Sequence, residues 1–394
     1  MTLGELVAEG GGSIQTGPFG SQLHAADYVS VGTPSVMPQN IGDNRINDSD
    51  IARVSRNDMQ RLTNYWLAEG DIVYSRRGDV ERRALVRPEN DGWLCGTGCL
   101  RVRIGDRQIH DPAFVSYALG LKESRKWIVQ HAVGATMLNL NTAILGGVPI
   151  SVPSIGEQRG IAEVLGALDD KISANSRLQA TIDQLVQALF IDATAGAEAA
   201  TLGAVADVNL ASVKPTAGEL RYLDIASVSV GTYASPAASP WSSAPGRARR
   251  KISTGDTVWS TVRPNRRSHA LILEDDQLLV GSTGLAVLTP KRGRFAYVYE
   301  ATRTEAFTAY LEAVAEGSAY PAVRGDRFAQ APVPLPVESR IIEFEAAAGP
   351  LRMRAGAALA ESAALVAMRD ALLPLLMSGK VTIKDAKSVV GEVL

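Results

Sequence analysis

The sequence predicts an α+β protein with a doubled plan: a mixed globule, a long helix, a second mixed globule and a second long helix. Three observations carry that expectation. Short motifs recur in the same order at nearly constant offset. Strand-like alternation dominates the segments around them, and a long helical pattern follows each copy. Thr2-Leu3-Gly4-Glu5-Leu6-Val7 returns as Thr201-Leu202-Gly203-Ala204-Val205-Ala206. Gly70-Asp71-Ile72-Val73-Tyr74-Ser75 returns as Gly255-Asp256-Thr257-Val258-Trp259-Ser260, 185 residues on. Val148-Pro149-Ile150-Ser151-Val152-Pro153 returns as Ala331-Pro332-Val333-Pro334-Leu335-Pro336, 183 residues on. Two diverged copies of about 190 residues account for all three.

The elements follow in order. Asp71–Ser75 and Cys99–Ile104 alternate apolar and polar residues, as half-buried strands do. Asp256–Val262 and Leu285–Thr289 are their equivalents. Asp111–Leu121 reads as a helix, with Asp111 as N-cap and Pro112 in the first turn. From Glu157 to about Phe190 there is no Pro. A heptad reading puts Ile161, Leu168, Asn175, Ile182 and Leu189 at a, and Val164, Lys171, Leu178 and Leu185 at d. That is a coiled-coil seam with two polar positions in its middle, where a buried Asn fixes register. About 33 residues at 1.5 Å each give a rod of about 50 Å. The second long helix runs from Glu338 to about Met377, with Phe344, Leu351, Leu359, Leu365, Leu372 and Leu376 among many alanines. Pro350 is expected to kink or interrupt it. The alanine face suits close antiparallel packing on the first helix, which would bring the N-terminus near the C-terminus.

Composition narrows the class. Of 394 residues 46% are apolar and 21% charged, as in ordinary globular proteins. No segment approaches the roughly 20 apolar residues of a membrane span. Met1-Thr2-Leu3-Gly4-Glu5 has no basic n-region, so no secretory signal is expected. Two cysteines make no disulfide framework and fit a reducing cytoplasm. Residues 1–200 carry 18 basic and 23 acidic side chains, residues 201–394 carry 22 and 19. Neither half is a basic block, so any nucleic-acid contact must come from local clusters.

Catalytic constellations are absent or weak. Asp111-Pro112-Ala113-Phe114 resembles the Asp-Pro-Pro-Phe motif of amino-methyltransferases, but no Gly-rich cofactor loop accompanies it. Ser378-Gly379-Lys380 resembles the end of a P-loop, with Pro374 where its first Gly belongs. Cys95 and Cys99 read as buried thiols, and the four histidines have no metal-ligand spacing. Asp169-Asp170-Lys171 lies inside the long helix, where adjacent acids are a solvated face.

The basic clusters are more informative. Arg247, Arg249, Arg250, Lys251, Arg263, Arg266 and Arg267 lie within 21 residues that hold one acid, Asp256. The first copy offers Arg76, Arg77, Arg82, Arg83, Arg87, Arg101, Arg103 and Arg107, with more acids between them. Both clusters follow the repeated Gly-Asp strand. Arginine pairs with phosphate and reads guanine edges bidentately.

In this order, twice over, these residues resemble the specificity (S) subunits of type I restriction–modification systems. Gly17-Pro18-Phe19-Gly20-Ser21-Gln22-Leu23 is similar to that family's N-terminal loop, and Gly70–Gly78 to its Gly-Asp-strand-Arg motif. Pro149–Pro153 followed by Glu157-Gln158 is similar to its exit into the first long helix, and Leu372–Gly379 to the end of its distal helix. The second copy departs from the pattern: Val208–Thr216 replaces the loop, and its strand continues as Ser260-Thr261-Val262-Arg263-Pro264.

The resemblance implies an α+β fold with two similar target-recognition domains, residues 1–155 and 197–337. A central helix (156–196) and a distal helix (338–380) would separate them as an antiparallel coiled coil with pseudo-two-fold repetition, followed by a C-terminal tail (381–394). It implies a non-catalytic, cytoplasmic subunit in which each domain reads one half of a bipartite double-stranded DNA site. Candidate DNA-binding residues are Phe19, Gly20, Ser21, Arg76, Arg77, Arg82 and Asn139, then Arg263, Asn265, Arg266, Arg267 and Tyr320. Asn141 is a weaker addition. Ile161, Leu168, Leu178, Leu185, Leu351, Leu365 and Leu372 mark the helices expected to dock two methyltransferase subunits. No cofactor is expected on this chain; S-adenosylmethionine belongs to the methyltransferases, and ATP with Mg2+ to restriction subunits where they join. Two readers one turn of B-DNA apart, about 34 Å, suit a spacer of about 50 Å. The residues alone leave open a stand-alone DNA methyltransferase built on Asp111–Phe114, and a coiled-coil scaffold without a DNA role.

Overall fold

The computed structural model describes residues 1–394, which divide into two units: 1–172 with 363–394, and 173–362. In chain order, unit 1 opens with α1 (Leu3–Glu9) and β1 (Gly11–Thr16), then β2 (Ile72–Ser75), β3 (Arg83–Leu85) and β4 (Cys99–Gly105). Helices α2 (Pro112–Leu119) and α3 (Lys122–His131) follow, and the 39-residue α4 (Ile155–Ala193) leads out of the unit. Unit 2 contributes β5 (Ala206–Val208), β6 (Thr257–Ser260), β7 (His269–Leu271) and β8 (Leu285–Pro290), then α5 (Phe295–Ala301) and α6 (Glu305–Val314). The 40-residue α7 (Glu338–Met377) and α8 (Ile383–Gly391) end the chain.

The sheets repeat as the motifs do. Unit 1 carries the antiparallel order β1-β4-β2-β3, unit 2 the antiparallel order β5-β8-β6-β7. Each unit adds a second small sheet with one parallel pair, 33–36 beside 94–95 and 219–223 beside 279–282. The repeated Gly-Asp sits at one bend in both units. Gly70 and Gly255 take φ of 86° and 89°, which only glycine adopts freely. The carboxylates of Asp71 and Asp256 each accept from a backbone N–H three residues earlier, Ala68 and Ser253, at 2.8 Å.

The other two repeats meet each other. Leu3 N donates to Val148 O at 2.8 Å, and Leu202 N donates to Ala331 O at 2.8 Å. The Thr-Leu-Gly entry of each globule is thus paired with its own Pro-rich exit. A Cβ on Gly4 would stand 3.1 Å from Gly146 O, and one on Gly203 would stand 3.2 Å from Ala329 O, so both glycines permit the same close crossing.

The long helices carry a heptad stripe that departs from the sequence reading towards the end of α4. On α4 the buried and half-buried positions run Ile161, Leu165, Leu168, Ile172, Asn175, Gln179, Ile182, Val186, alternating steps of four and three. Ile161, Leu168, Asn175 and Ile182 lie in the seam as read, Val164 is buried beside Leu165, and Leu178 is half-buried beside Gln179; the reading fails at its last d position. Leu185 is 47% exposed while Val186 is buried. Adjacent apolar pairs such as Leu185-Val186 allow either register, and only packing selects one. On α7 the stripe runs from Ile341 through Ala348, Ala355 and Leu365 to Leu376. The helix passes unbroken through Pro350, correcting the expected interruption. Pro350 is exposed, so the carbonyl it frees faces water.

This packing covers four of the seven residues assigned to partner docking. Ile161, Leu168, Leu365 and Leu372 are buried in the core of unit 1, shared with Leu3, Leu6 and Phe114. Leu178 and Leu351 pack half-buried on the core of unit 2. The first four are covered by their own chain and the other two only partly, while Leu185 is 47% exposed. The last residues are no loose tail: α8 buries Ala386 and Val390 in the core that holds α1.

Charged pairs sit inside the helix contacts. In unit 1 Asp169 is buried, not on the solvated face the sequence suggested: Arg369 donates to it at 2.8 Å, and Tyr117 donates to its other oxygen at 2.6 Å. In unit 2 α4 and α7 run antiparallel through Asn175–Glu361, Asp183–Arg352 and Asp192–Arg340. Arg352 also pairs with the buried Glu300, and Arg303 bridges Glu300 and Asp183. Burial pushes the Glu300 carboxyl above its ordinary range, opposed by the two guanidiniums.

His269 on β7 is buried and stacked on Trp259, ring centroids 4.8 Å apart. Its Nδ1 lies 2.6 Å from the carbonyl oxygen of Arg267, which can only accept, so the neutral ring carries its proton there. Burial pulls its pKa from the ordinary 6.5 down to about 4.

Two outcomes are expected. Removing Arg352 takes away one of the two guanidiniums that hold the buried Glu300 and leaves it Arg303, so Arg352→Ala should lower chemical-unfolding stability by about 1–3 kcal/mol. Arg340→Ala, at an exposed pair, should cost under about 1 kcal/mol. Below pH 6.5 the unfolded His269 takes a proton that the folded ring refuses until about pH 4. Stability should therefore rise with pH across that window and level off above it, by at most about 3 kcal/mol. His269→Phe should remove that component in urea titrations between pH 4 and 7.5.

Candidate nucleic-acid interface

Each unit turns its central strand into a short loop by the same device. Ser75 Oγ donates to Arg77 O at 2.9 Å after β2, and Ser260 Oγ donates to Val262 O at 2.9 Å after β6. The strand exit is then sewn to a hairpin. In unit 1 Leu140 N donates to Arg76 O at 2.8 Å and Gly78 N to Leu138 O at 3.0 Å. In unit 2 Val323 N donates to Thr261 O at 2.8 Å and Arg263 N to Pro321 O at 2.7 Å. The hairpins are closed by the bridges Val133–Asn139 and Glu316–Ala322. Gly134 and Gly317 begin their tips, with φ of 132° and 99°.

On this doubled scaffold each unit stacks an arginine on an exposed ring. The Arg76 guanidinium lies 5.7 Å from the Phe19 centroid, and that of Arg263 lies 4.7 Å from the Tyr320 centroid. The rings are 53% and 69% exposed. Neither arginine has a carboxylate partner, and Arg76 Nε is buried without an acceptor. The ring restrains the side chain, and the outer nitrogens meet no carboxylate; one of those of Arg263 makes a long contact, 3.5 Å, to Ala319 O. The two pairs are not at equivalent positions. Phe19 belongs to the Gly17–Leu23 loop, which unit 2 lacks. That loop is held by Gln22, whose Oε1 accepts from Phe19 N at 3.1 Å and Tyr65 OH at 3.0 Å. Gly17 packs too tightly for any side chain, its Cβ position 2.2 Å from Gly96 O. Gly20 and Ser21 face solvent, and nothing lies near a Cβ on Gly20.

The second unit builds its own loop instead. Arg263 occupies the place of Gly78, and both are left-handed, with φ of 54° and 75°. Arg267 is left-handed too, at 53°, and the two arginines flank the single turn Pro264–Arg266. Non-glycine residues there each cost on the order of 1–3 kcal/mol and persist only where the surroundings impose them. Pro264 is buried, His269 holds the Arg267 carbonyl, and Arg267 pairs with Glu305 at 2.5 Å. Arg267 is therefore a strut of the loop. Asn265 and Arg266 stand exposed at its apex without side-chain partners.

The arginine cluster of the first copy is mostly structural, correcting the sequence reading. Arg83 and Arg101 are buried, donating to backbone oxygens of Ser116, Asn64 and Trp66. Arg103 pairs with Asp71 at 2.6 Å, Arg107 with Glu69 at 3.7 Å and Arg87 with Asp170 at 3.7 Å. The alternation in β4 puts Arg101 and Arg103 on an outer face, but residues 62–66 fold over it. Arg76 and Arg77 remain without carboxylates, and Arg82 meets Asp79 only at 4.0 Å. Asn139 is half-buried and closes its hairpin, its Nδ2 donating to Met137 O at 3.0 Å. In unit 2 Arg247 and Lys251 are exposed, while burial pushes the pKa of Arg250 down.

The rival motifs have structural roles. Asp111 caps α2, accepting from Phe114 N at 2.8 Å, and Phe114 is wholly buried. Cys95 and Cys99 are buried free thiols. No group of three His, Cys, Asp or Glu could hold a metal ion, and no helix is long and apolar enough to cross a membrane.

Residues 26–184 match the family described as the type I restriction modification DNA specificity domain. The S subunit of a type I restriction–modification system from M. genitalium shares the fold at a TM-score of 0.62 and 14% identity, covering 95% of each chain. The HsdS subunit of Thermoanaerobacter tengcongensis aligns over 97% of this chain and 96% of its own at 17% identity, with a TM-score of only 0.37. No significant match is found among curated protein sequences. The matched specificity domain begins in unit 1 and runs into α4, and the whole chain shares its fold with a solved S subunit of a type I restriction–modification system.

Proposed function

We propose that each globule, residues 1–155 and 197–337, reads one half of a bipartite duplex DNA site. The observation that carries this reading is the doubled strand-exit and hairpin scaffold, each copy presenting a carboxylate-free arginine stacked on an exposed ring. A restrained guanidinium suits bidentate contact with guanine O6 and N7, and its unpaired neighbours Arg77 and Arg266 suit phosphates. Two scaffolds of one design with different tips suit a split, non-palindromic site. The chain itself is non-catalytic in this reading. The long helices, 156–196 and 338–380, act as an antiparallel coiled coil relating the readers by a pseudo-two-fold axis, and dock two methyltransferase subunits. Their exposed apolar side chains, Leu185, Ile191, Ile342, Met353 and Leu359, are what such partners would cover. S-adenosylmethionine would be used by those partners, ATP with Mg2+ by any restriction subunits, all in the cytoplasm.

The test is selection from random duplex DNA by the chain co-purified with its methyltransferase, at moderate salt. Two short blocks with a fixed gap are expected; one contiguous block, or binding without a motif, would sink the proposal. Arg76→Ala should relax one block and Arg263→Gly the other, each losing about 1–3 kcal/mol at its own block. Arg263→Gly should not lower the unfolding midpoint, since glycine suits the left-handed site. Unchanged selectivity in both variants would favour a scaffold without a DNA role.

A further inference from the structure

We infer that Met137 and Tyr320 are a matched pair of wedges that enter the DNA base stack, one in each half-site. This rests on the DNA-reading role proposed above. The two residues hold one position in the doubled scaffold. Each lies three residues beyond the glycine that opens its hairpin, and two before the residue that closes it, Asn139 or Ala322. The offset between them is 183, the same as between the Pro-rich exits.

Their chemistry is alike where their identities differ. Met137 is 57% exposed and Tyr320 69%, and each is the large side chain at the end of its tip; Val133, at the base of the first hairpin, is also exposed, and Leu138 is half-buried. Between glycine and wedge stand only Ala135 and Thr136 in one hairpin, Ser318 and Ala319 in the other. Single exposed apolar residues are common on protein surfaces and mean nothing alone. A protruding apolar side chain at the same register of two diverged copies, preceded in each by two residues too small to shield it, is a different observation.

The mounting is rigid, as insertion requires. Val133 and Asn139 exchange two backbone hydrogen bonds, at 3.0 and 2.7 Å, and Glu316 and Ala322 exchange two at 2.9 Å. A Cβ on Gly134 would stand 2.1 Å from Met137 O, so the tip is folded back on the carbonyl of the wedge residue itself. Each base is also sewn to the strand exit that carries the free arginines. Arg77 bridges directly to Asn139, and Arg263 covers one face of the Tyr320 ring. Cations beside a rigid apolar prong are the combination by which proteins part a base step while holding its phosphates. The covered face leaves Tyr320 its edge and outer face for a base. Met137, unbranched, can slide between bases as thioether side chains fill irregular gaps.

The test uses the chain in complex with its methyltransferase, on the duplex found by selection. 2-Aminopurine is placed in turn at each position of both half-sites other than the methylated base. Wild type should give a fluorescence rise, reporting unstacking, at one step in each half-site. Met137→Ala should abolish only the first-half signal and Tyr320→Ala only the second. Met137→Leu and Tyr320→Phe should keep them. Each alanine variant should bind the matched duplex about tenfold more weakly and recover on a duplex with a mismatch at that step, because the mismatch supplies the unstacking. Specific binding by wild type with no unstacked step, or alanine variants that keep both signals, would overturn the wedges and leave the DNA-reading role standing. Absence of any specific binding by wild type would overturn both.

Discussion

Everything in each unit depends on how the globule is closed. The backbone bonds Leu3 N to Val148 O and Leu202 N to Ala331 O tie the first residues of each copy to its last. A globule closed in this way delivers the chain to its following helix from the place where the copy began. It explains why Gly4 and Gly203 are glycines, since a larger residue would meet the backbone of the crossing segment. It also explains why the Thr-Leu-Gly and Pro-rich motifs recur together, because they are the two sides of one contact. The prolines suit that contact: they hold the exit extended and cannot continue a ladder beyond it.

The helix contacts add selectivity to this closure. The acids Asp169 and Asp183 both lie on α4, and their partners Arg369 and Arg352 both lie on α7. Either helix packed against its own kind would bury like charges, so the ionic pattern favours α4 with α7. The cost of desolvating these groups is offset only because each is multiply satisfied: Tyr117 completes Asp169, and Glu300 completes Arg352. Against this fixed frame the recognition elements differ freely. Unit 1 uses the Gly17–Leu23 loop to back Arg76. Unit 2, without that loop, puts Arg263 where unit 1 has Gly78 and accepts the backbone strain. Strain of this kind is stored where a buried proline, a histidine strut and an ion pair surround it, and all three are present at Pro264, His269 and Glu305.

Much of this was legible beforehand for identifiable reasons. The repeats survive divergence because they occupy positions where backbone geometry excludes other residues. Heptad spacing revealed the first long helix, since a 3.5-residue stripe needs no knowledge of the partner, and leucines among many alanines revealed the second. The arginine cluster of the second copy stood out because few acids accompany it. The same reasoning failed for the first copy, where Arg83, Arg87, Arg101, Arg103 and Arg107 find partners distant in the chain. It failed for Leu185 against Val186, where two adjacent apolar residues fit the stripe almost equally. It passed over Met137, whose position is visible only when the two hairpins are aligned on Gly134 and Gly317.

The sequence by itself determined the doubled plan, the α+β globules and the two long helices. All of these follow from local patterning and from short motifs whose spacing is preserved. Only the tertiary structure decided which arginines are free, which heptad register is buried, and that the last residues form a helix in the first unit's core. Those outcomes turn on partners brought together across many tens or hundreds of residues, as Asp169 meets Arg369 and Arg101 meets Trp66. Charge and hydrophobicity are properties of a residue, whereas being paired or covered is a property of the place the fold gives it.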